Sequence, residues 1–332
     1  MNYNKTKKFQ STKENEIMYR IGVDLGGTNI AVGLVDEKYQ IVCKKSVPTG
    51  ADRAPECIVA DMANLCLSLC EEAKVTLDEV ISVGIATPGI ANHDTGVVEY
   101  ANNLPFSKFP IGSMLSEKLG GKKVYIENDA NAAAWGEAVA GAAKGTKNSV
   151  MITLGTGVGG GIIIDNKVYS GFNYAGAELG HIVIEHGGRP CSCGRRGCWE
   201  AYSSATALIN MTNEKLAECK AQGRKTVMSE GKRVSGRTAF DAMRAGDAAG
   251  KEVVDTYLSY LVTGLVNIVN IFQPEVISLG GGVSGEGQSL VDALLEGIRK
   301  EEYGHGVVPE TQIRIATLGN DAGIVGAAVL GM

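Results

Sequence analysis

Apolar and polar positions along the chain fall into a repeating alternation of two periods. The stretch YRIGVDLGGTNIAVGLVDE (19–37) is apolar on nearly every residue except at a central Gly-Gly-Thr, which predicts a strand, a tight turn and a second strand. Residues 54–74 switch to helical spacing, with Ile58, Met62, Leu65 and Leu69 on one face and Cys66 and Cys70 one turn apart among them. VISVGIATPGI (80–90) predicts a buried strand entering a turn, where Pro88 presets φ and Gly89 accepts φ > 0 in a type II geometry. KKVYIEN (122–128) predicts a strand that delivers Asn128 and Asp129 into a helix, NDANAAAWGEAVAGAA, rich in the best helix former. Asp129 at that helix start is also a possible N-cap.

The second half repeats the scheme. NSVMITLGTGVGGGIIIDNKVY (148–169) again predicts strand, glycine loop (LGTGVGGG, 154–161) and strand, so the chain carries two versions of one unit. Gly155, Gly157 and Gly160 satisfy a G-x-G-x-x-G spacing, but the apolar Ile162–Ile164 that follow predict a strand instead of the helix a dinucleotide fingerprint requires. AYSSATALINMT (201–212) predicts one helix, 213–238 a solvated polar and basic surface, and 238–273 one long helix ending before Pro274. EVISLGGGVS (275–284) predicts a buried strand opening a glycine loop, IRIATLG (313–319) a last strand and DAGIVGAAVLG (321–331) a closing helix. Residues 1–18 are polar with few apolar anchors and predict a disordered tail, within which Met18 is an alternative start.

Length and composition narrow the function classes. The 332 residues suffice for two domains, and 44% hydrophobic with 21% charged residues is ordinary for a soluble globular chain. A net charge of −5 argues against a general nucleic-acid binder. No uninterrupted apolar run predicts a membrane span and the N-terminus has no signal-peptide core, which predicts a cytoplasmic protein with reduced thiols. Glycine, at 44 residues, is the outlier, and its clustering in short runs predicts backbone loops that cradle phosphates.

Candidate chemistry concentrates in ELGHIVIEHGGRPCSCGRRGCWE (178–200). His181, Cys191, Cys193 and Cys198 form a Cys3His set, the composition of a closed structural zinc site, with no position left for a reacting water. Cys43, Cys57, Cys66, Cys70 and Cys219 show no such grouping. Scattered thiols or an oxidised pair is the plainer alternative. In the first half, Asp24 at the strand end suits magnesium, held directly or through water, and Gly26, Gly27 and Thr28 suit an anion.

These motifs together resemble the ROK (repressor, open reading frame, kinase) family of sugar kinases, over nearly everything from residue 19 onward. The order runs DLGGT, E-N-D-A-N, LGTGVGGG, E-x-G-H, C-x-C-G-x-x-G-C-x-E, L-G-G-G. The resemblance implies an α/β fold of the sugar-kinase, actin and Hsp70 ATPase type, two lobes around a cleft and a zinc-braced loop. The expected division is a smaller lobe over 19–127, joined by a returning helix at about 321–332, and a larger lobe over 128–320. Asp129 is then the catalytic base. Gly89, Asn103, Asn128, Glu178, His181 and Glu200 are then sugar ligands. Asp24, Gly26, Gly27, Thr28, Gly155, Thr156, Gly157, Gly281 and Gly282 are the nucleotide-binding set. ATP, Mg2+ and a structural Zn2+ are the implied cofactors, and a homodimer or a dimer of dimers the implied assembly.

The implied reaction moves the γ-phosphoryl of ATP to the 6-hydroxyl of a hexose. C-W-E-A-Y-S-S-A-T-A-L resembles the glucokinases more than the kinases for N-acetylmannosamine, N-acetylglucosamine, mannose or fructose, which share most of the motifs. The family also contains sugar-responsive repressors with a winged-helix domain ahead of the kinase-like body, and the polar residues before Asp24 are too few for one. A substitution such as Gly157→Val is expected to weaken ATP binding and leave the sugar alone.

Overall fold

The computed structural model describes residues 18–231 and 233–332. It consists of two lobes, each built on the same five-stranded sheet. The first begins with β1 (Tyr19–Leu25), β2 (Asn29–Val35) and β3 (Ile41–Pro48), an antiparallel meander. Helix α1 (Pro55–Ala73) crosses back to β4 (Val80–Thr87), which pairs parallel with β1. A small antiparallel sheet follows, β5 (Ile90–Asn92), β6 (Val97–Tyr100) and β7 (Ser107–Phe109). Then α2 (Ile111–Lys118) leads to β8 (Val124–Asn128), parallel to β4, and the chain enters α3 (Asp129–Val139).

The second lobe repeats the plan with β9 (Ser149–Leu154), β10 (Val158–Ile164) and β11 (Lys167–Val168). Asp165 and Asn166, both at positive φ (50° and 58°), make the tight reversal between β10 and β11. After the loop that carries the cysteines come α4 (Glu200–Ser203), α5 (Ala205–Ala221), α6 (Thr238–Arg244), α7 (Ala248–Phe272) and β12 (Val276–Gly280). Helix α8 (Gln288–Glu301), β13 (Gln312–Ile315) and α9 (Ala322–Ala328) complete the chain. The sheet orders β3-β2-β1-β4-β8 and β11-β10-β9-β12-β13 are the same order, with the same pattern of parallel and antiparallel neighbours. The duplication expected from DLGGT and LGTGVGGG therefore extends to the whole five-stranded unit.

Helix α1 shows why the periodicity is decisive. Ile58, Met62, Leu65 and Leu69 are all buried against β2 and β3, together with Cys66 and Cys70. Burial of each such aliphatic chain contributes about 1.5–3 kcal/mol, far more than helix propensity does. Cys43 and Cys219 likewise lie in apolar packing, and Cys57 is exposed.

Helices α3 and α9 pack on each other between the lobes. The close fit is made by glycines: a Cβ on Gly22 of β1 would lie 1.8 Å from the Ile324 carbonyl oxygen, and one on Gly84 of β4 1.8 Å from that of Ala327. From the other side, Gly161 of β10 presses on α3 at Ala130 and Ala134. The residues entering α3 are thus gripped by both lobes.

Four expectations of local structure are corrected. The helix expected over AYSSATALINMT is broken at Ser204, whose Oγ accepts the Ala207 amide and starts α5 afresh. Helix α5 then runs to Ala221, into the stretch expected to be a polar surface, and buries Cys219. The helix expected over 238–273 is two, because Gly246 (φ 79°) reverses the chain and Asp247 caps α7 through the Ala249 and Gly250 amides. Finally, only Gly155–Gly157 form a loop in LGTGVGGG, for Val158–Gly161 belong to β10. Among the described residues no helix is long and apolar enough to cross a membrane.

Candidate active site

The two equivalent hairpin turns each carry backbone amides without a partner among the described residues. In the first, the Gly26 amide donates to the Asn29 carbonyl, which leaves the Gly27 and Thr28 amides without an acceptor among the described residues. In the second, the Gly155 amide donates to the Gly157 carbonyl, and the Thr156 and Gly157 amides are left in the same way. Two adjacent free N–H groups on each turn make a pair of concave anion cradles. None of Gly26, Gly27, Gly155 and Gly157 has a positive φ, so their value is close backbone approach and not left-handed geometry.

A cavity of about 740 Å3 runs between the lobes, lined by Asp24, Asp129, Thr153, Gly159, Gly281, Gly282 and Asn320 among others. Gly281 has φ 82° and lies so near the Leu154 backbone that a Cβ would come within 2.5 Å of it. It joins the end of β12 to the end of β9, and so opens this wall of the cavity. Asp24 and Asp129 approach it from different elements. Burial, and then the neighbouring Asp129 charge, push the Asp24 carboxyl up to about 6. Burial also raises Asp129, against the pull of the Ala130 amide on its Oδ1. Two such carboxyls, without a basic partner among the described residues, could hold a divalent cation.

The segment bearing Asp129 is fixed by its neighbours. Asn128, and not Asp129, caps α3: its Oδ1 accepts the Ala130 and Asn131 amides. The Asn128 Nδ2 donates to the Gly89 carbonyl at 3.1 Å. Gly89 has φ 92°, as the Pro-Gly turn predicts, and a Cβ there would meet the Tyr100 carbonyl at 2.1 Å. Because Asn128 takes the cap, one Asp129 oxygen remains for other work. Sequence reading missed Glu137, fully buried on α3, whose carboxylate accepts the amides of Ala142, Thr317 and Leu318. It fastens the chain just ahead of Gly319 and Asn320, which line the cavity.

The cysteine loop folds against α4 and α7. Trp199 is wholly buried, donates its indole N–H to the Tyr260 carbonyl, and fits over Gly264 of α7, where any Cβ would lie 2.0 Å from its ring. The Tyr202 hydroxyl accepts the Arg189 amide. Within this frame the side-chain donors of His181, Cys191, Cys193 and Cys198 all lie within 4.8 Å of one another. His181 Nδ1 is 3.6 Å from Cys191 Sγ, and Cys193 Sγ is 3.6 Å from Cys198 Sγ. Tetrahedral zinc with bonds of about 2.3 Å to sulfur and 2.0–2.1 Å to nitrogen needs edges of about 3.5–3.8 Å. A disulfide needs sulfurs about 2.05 Å apart, so the donor set fits a metal and not an oxidised pair.

Glu200 links this loop to the second hairpin. Its Oε2 accepts the Val158 amide at 3.0 Å, and Oε1 lies 3.5 Å from Ser192 Oγ. A Cβ on Gly157 would stand 2.3 Å from the Glu200 carboxylate. Gly157→Val, expected to weaken ATP binding, would therefore also press the Glu200 carboxylate aside. A second cavity, of about 640 Å3, holds Thr156, Gly157, Cys191 and Glu200 together. On the first hairpin, a Cβ on Gly27 would meet the Asn103 Cβ at 3.2 Å. The E-L-G-H turn sits directly on β10, Leu179 filling the space over Gly160 and Gly180 touching the Val158 carbonyl. Glu178 and Asn103 are exposed, and their side chains have no hydrogen-bond partner among the described residues. The structure thus gathers Asp24, Asp129, Gly281 and Gly282 in one cavity, and Thr156, Gly157 and Glu200 in the neighbouring one.

Comparison with known proteins follows the same lines. The ROK family pattern matches residues 20–332. The glucokinase of Streptomyces coelicolor is 38% identical over 93% of this chain and 96% of its own length. That of Halalkalibacterium halodurans is 36% identical over 93% of this chain and 94% of its own. Among solved structures, a ROK family glucokinase from Streptomyces griseus, in complex with glucose and AMPPNP, superposes with a TM-score of 0.74 at 35% identity. The two share 94% of this chain and 98% of that one. Its two-lobed sugar-kinase architecture is the one described above, and this chain belongs to the ROK family.

Proposed function

We propose that the protein transfers the γ-phosphoryl group of ATP to the 6-hydroxyl of glucose. The observation that carries this is the pairing of Asp24 and Asp129 in one cavity with Gly281 and Gly282, in a chain 36–38% identical to glucokinases along nearly its whole length. The Gly27 and Thr28 amides take one side of the polyphosphate and the Thr156 and Gly157 amides the other, with Gly281 and Gly282 toward the nucleoside. Asp24 holds Mg2+, whose charge offsets the phosphate oxygens. Asp129 accepts the hydroxyl proton. A carboxylate suffices because the transition state is loose, and positioning and charge neutralisation supply most of the catalysis. Asn103, Asn128, Glu178, His181 and Glu200 orient the sugar, with the Gly89 carbonyl setting the Asn128 amide.

In the same proposal, His181 Nδ1 and the sulfurs of Cys191, Cys193 and Cys198 hold a structural Zn2+ that stiffens the loop and supplies no chemistry. His181 Nε2 is then left to face a hydroxyl, and Glu200 is fixed one residue beyond Trp199. A homodimer or a dimer of dimers and a cytoplasmic location belong to this reading too. Purified protein assayed with Mg-ATP against a hexose panel tests it. Glucose is expected to give the highest kcat/KM, and a preference for an N-acetylhexosamine overturns the substrate assignment.

A further inference from the structure

Glu127, the residue before Asn128, has a carboxylate that the reaction does not use. It is only 3% exposed, and both oxygens are engaged. Oε1 accepts the Asn128 amide at 2.9 Å and the Asn131 Nδ2 at 3.1 Å. Oε2 faces His93 Nδ1 at 3.2 Å. His93 and Asp94 occupy the turn between β5 and β6 in the first lobe. Their contacts on the outer side come from the second lobe. The Tyr174 ring packs edge-on against His93, with centroids 4.9 Å apart, and its hydroxyl donates to Asp94 Oδ2 at 2.7 Å.

The loop that presents Tyr174 is held in an unfavourable form. Tyr174 and Ala177 both have positive φ, at 64° and 66°, although neither is glycine. Gly176 sits so tightly on Ser170 that a Cβ would lie 2.9 Å from its carbonyl group. Strained backbone persists where its surroundings fix it and marks places where position matters. Glu178 of the sugar set follows directly. One run of contacts therefore leads from the second lobe, through Tyr174 and His93, to the buried Glu127 and the backbone on either side of Asp129.

We propose that Tyr174 and His93 form a strap across the cleft that acts through Glu127 to position Asn128 and Asp129 for phosphoryl transfer, an inference that rests on Asp129 being the base. His93, Glu127 and Tyr174 are positioning residues, for none of them touches the reacting atoms. The charges facing His93 are Glu127 from β8 and Asp94 from its own turn, with Glu99 of β6 beyond Tyr174. The Glu127 hydrogen bond, above all, holds the His93 imidazole above its ordinary pKa. Its charged form therefore persists toward neutral pH and is lost as pH rises through the shifted value. The strap weakens in the same direction, since the neutral ring keeps its Nδ1–H toward Glu127 and gives up the proton facing Asp94.

The test is steady-state kinetics and thermal denaturation of the full-length protein and of His93→Gln, Tyr174→Phe, the double variant and Asp129→Asn. Each strap variant should lose about 3–10-fold in kcat, below the ~10²-fold that a displaced catalytic group can cost. ATP KM and melting temperature should stay near wild type. The double variant should be no worse than His93→Gln, because Tyr174 acts through His93. The kcat ratio of wild type to His93→Gln should shrink as pH rises above the imidazole range. Wild-type turnover in both single variants overturns the strap, and so does a double variant whose loss is the product of the two. Should Asp129→Asn retain wild-type turnover, the base assignment fails by itself. Collapse of Asp129→Asn alone, with both strap variants unaffected, removes only the strap.

Discussion

The β1–β2 and β9–β10 hairpins have the same topology and the same pair of open amides, yet they are buttressed differently. A Cβ on Gly27 of the first would meet the Asn103 Cβ at 3.2 Å, tighter than ordinary contact, and the exposed Asn103 side chain has no hydrogen-bond partner among the described residues. Gly157 of the second is pressed against Glu200, whose carboxylate also holds the Val158 amide. The first turn is held from β3's end, where the Thr49 amide and hydroxyl donate to the Thr28 and Gly26 carbonyls, and the second is tied through Glu200 to the loop carrying the zinc-type cluster. A duplicated unit keeps the same pair of open amides and diverges in what stands behind it.

The largest effect is expected at Asp129, which shares its cavity with Asp24. Asp129→Ala should lower kcat by about 10²–10⁴, the usual contribution of a positioned acid–base group, with glucose binding retained. Steady-state rates and glucose titration check it, and more than half of wild-type kcat refutes the role. Next in size is Gly157→Val against Gly27→Val. Gly157→Val should raise KM for both glucose and ATP, by about tenfold or more for a displacement of roughly 1.4 kcal/mol. Gly27→Val should raise ATP KM far more than glucose KM. Equal patterns in the two variants contradict the asymmetry.

Cys193→Ser removes one of four donors and should cost the protein its zinc. Glucose KM is then expected to rise by about 10–100-fold with a smaller effect on ATP KM, since the Glu200 side of the site loses its support. Metal analysis of carefully prepared wild type should find zinc, and a zinc-free active enzyme refutes the site. Glu137→Gln sharpens the comparison from the nucleotide side. Hydrogen bonds to a buried charge are worth about 1.5–3 kcal/mol, so the variant should melt lower and bind ATP several-fold more weakly, with glucose affinity kept.

The smallest effect is electrostatic. The folded-state pKa of Asp24 is raised from 3.8 to about 6, so its charged form is disfavoured in the native state. The native state accordingly loses stability as pH rises from about 4 to about 6, by at most about 3 kcal/mol, and Asp24→Asn should abolish that slope. Mg-ATP should suppress it too, because a bound cation favours the carboxylate. Denaturation midpoints across this range, with and without Mg-ATP, decide the matter.

How much was legible in the sequence follows from how local each signal is. The strand–turn–strand units and α1 were legible because burial on one face imprints a period. The Cys3His set was legible because its spacing is short. The break at Ser204 and the division of α6 from α7 were not, since the apolar pattern runs through both and only a capping side chain, with Gly246 in the second case, interrupts it. Glycines misled in β10, where Gly159–Gly161 lie in a strand and admit Thr153, Leu179 and α3. Glu137, His93 and Tyr174 were invisible because each acts across the chain, on partners as far away as Leu318, Glu127 and Asp94.

The most direct test of the phosphotransfer itself compares glucose with 6-deoxyglucose, which lacks only the hydroxyl assigned to attack. Product would be read by 31P NMR with Mg-ATP in excess. Glucose should yield a single monophosphate at C6, and 6-deoxyglucose should compete with glucose while remaining unphosphorylated. Phosphorylation of 6-deoxyglucose, or a glucose product substituted at another oxygen, would contradict the placement of the 6-hydroxyl beside Asp129.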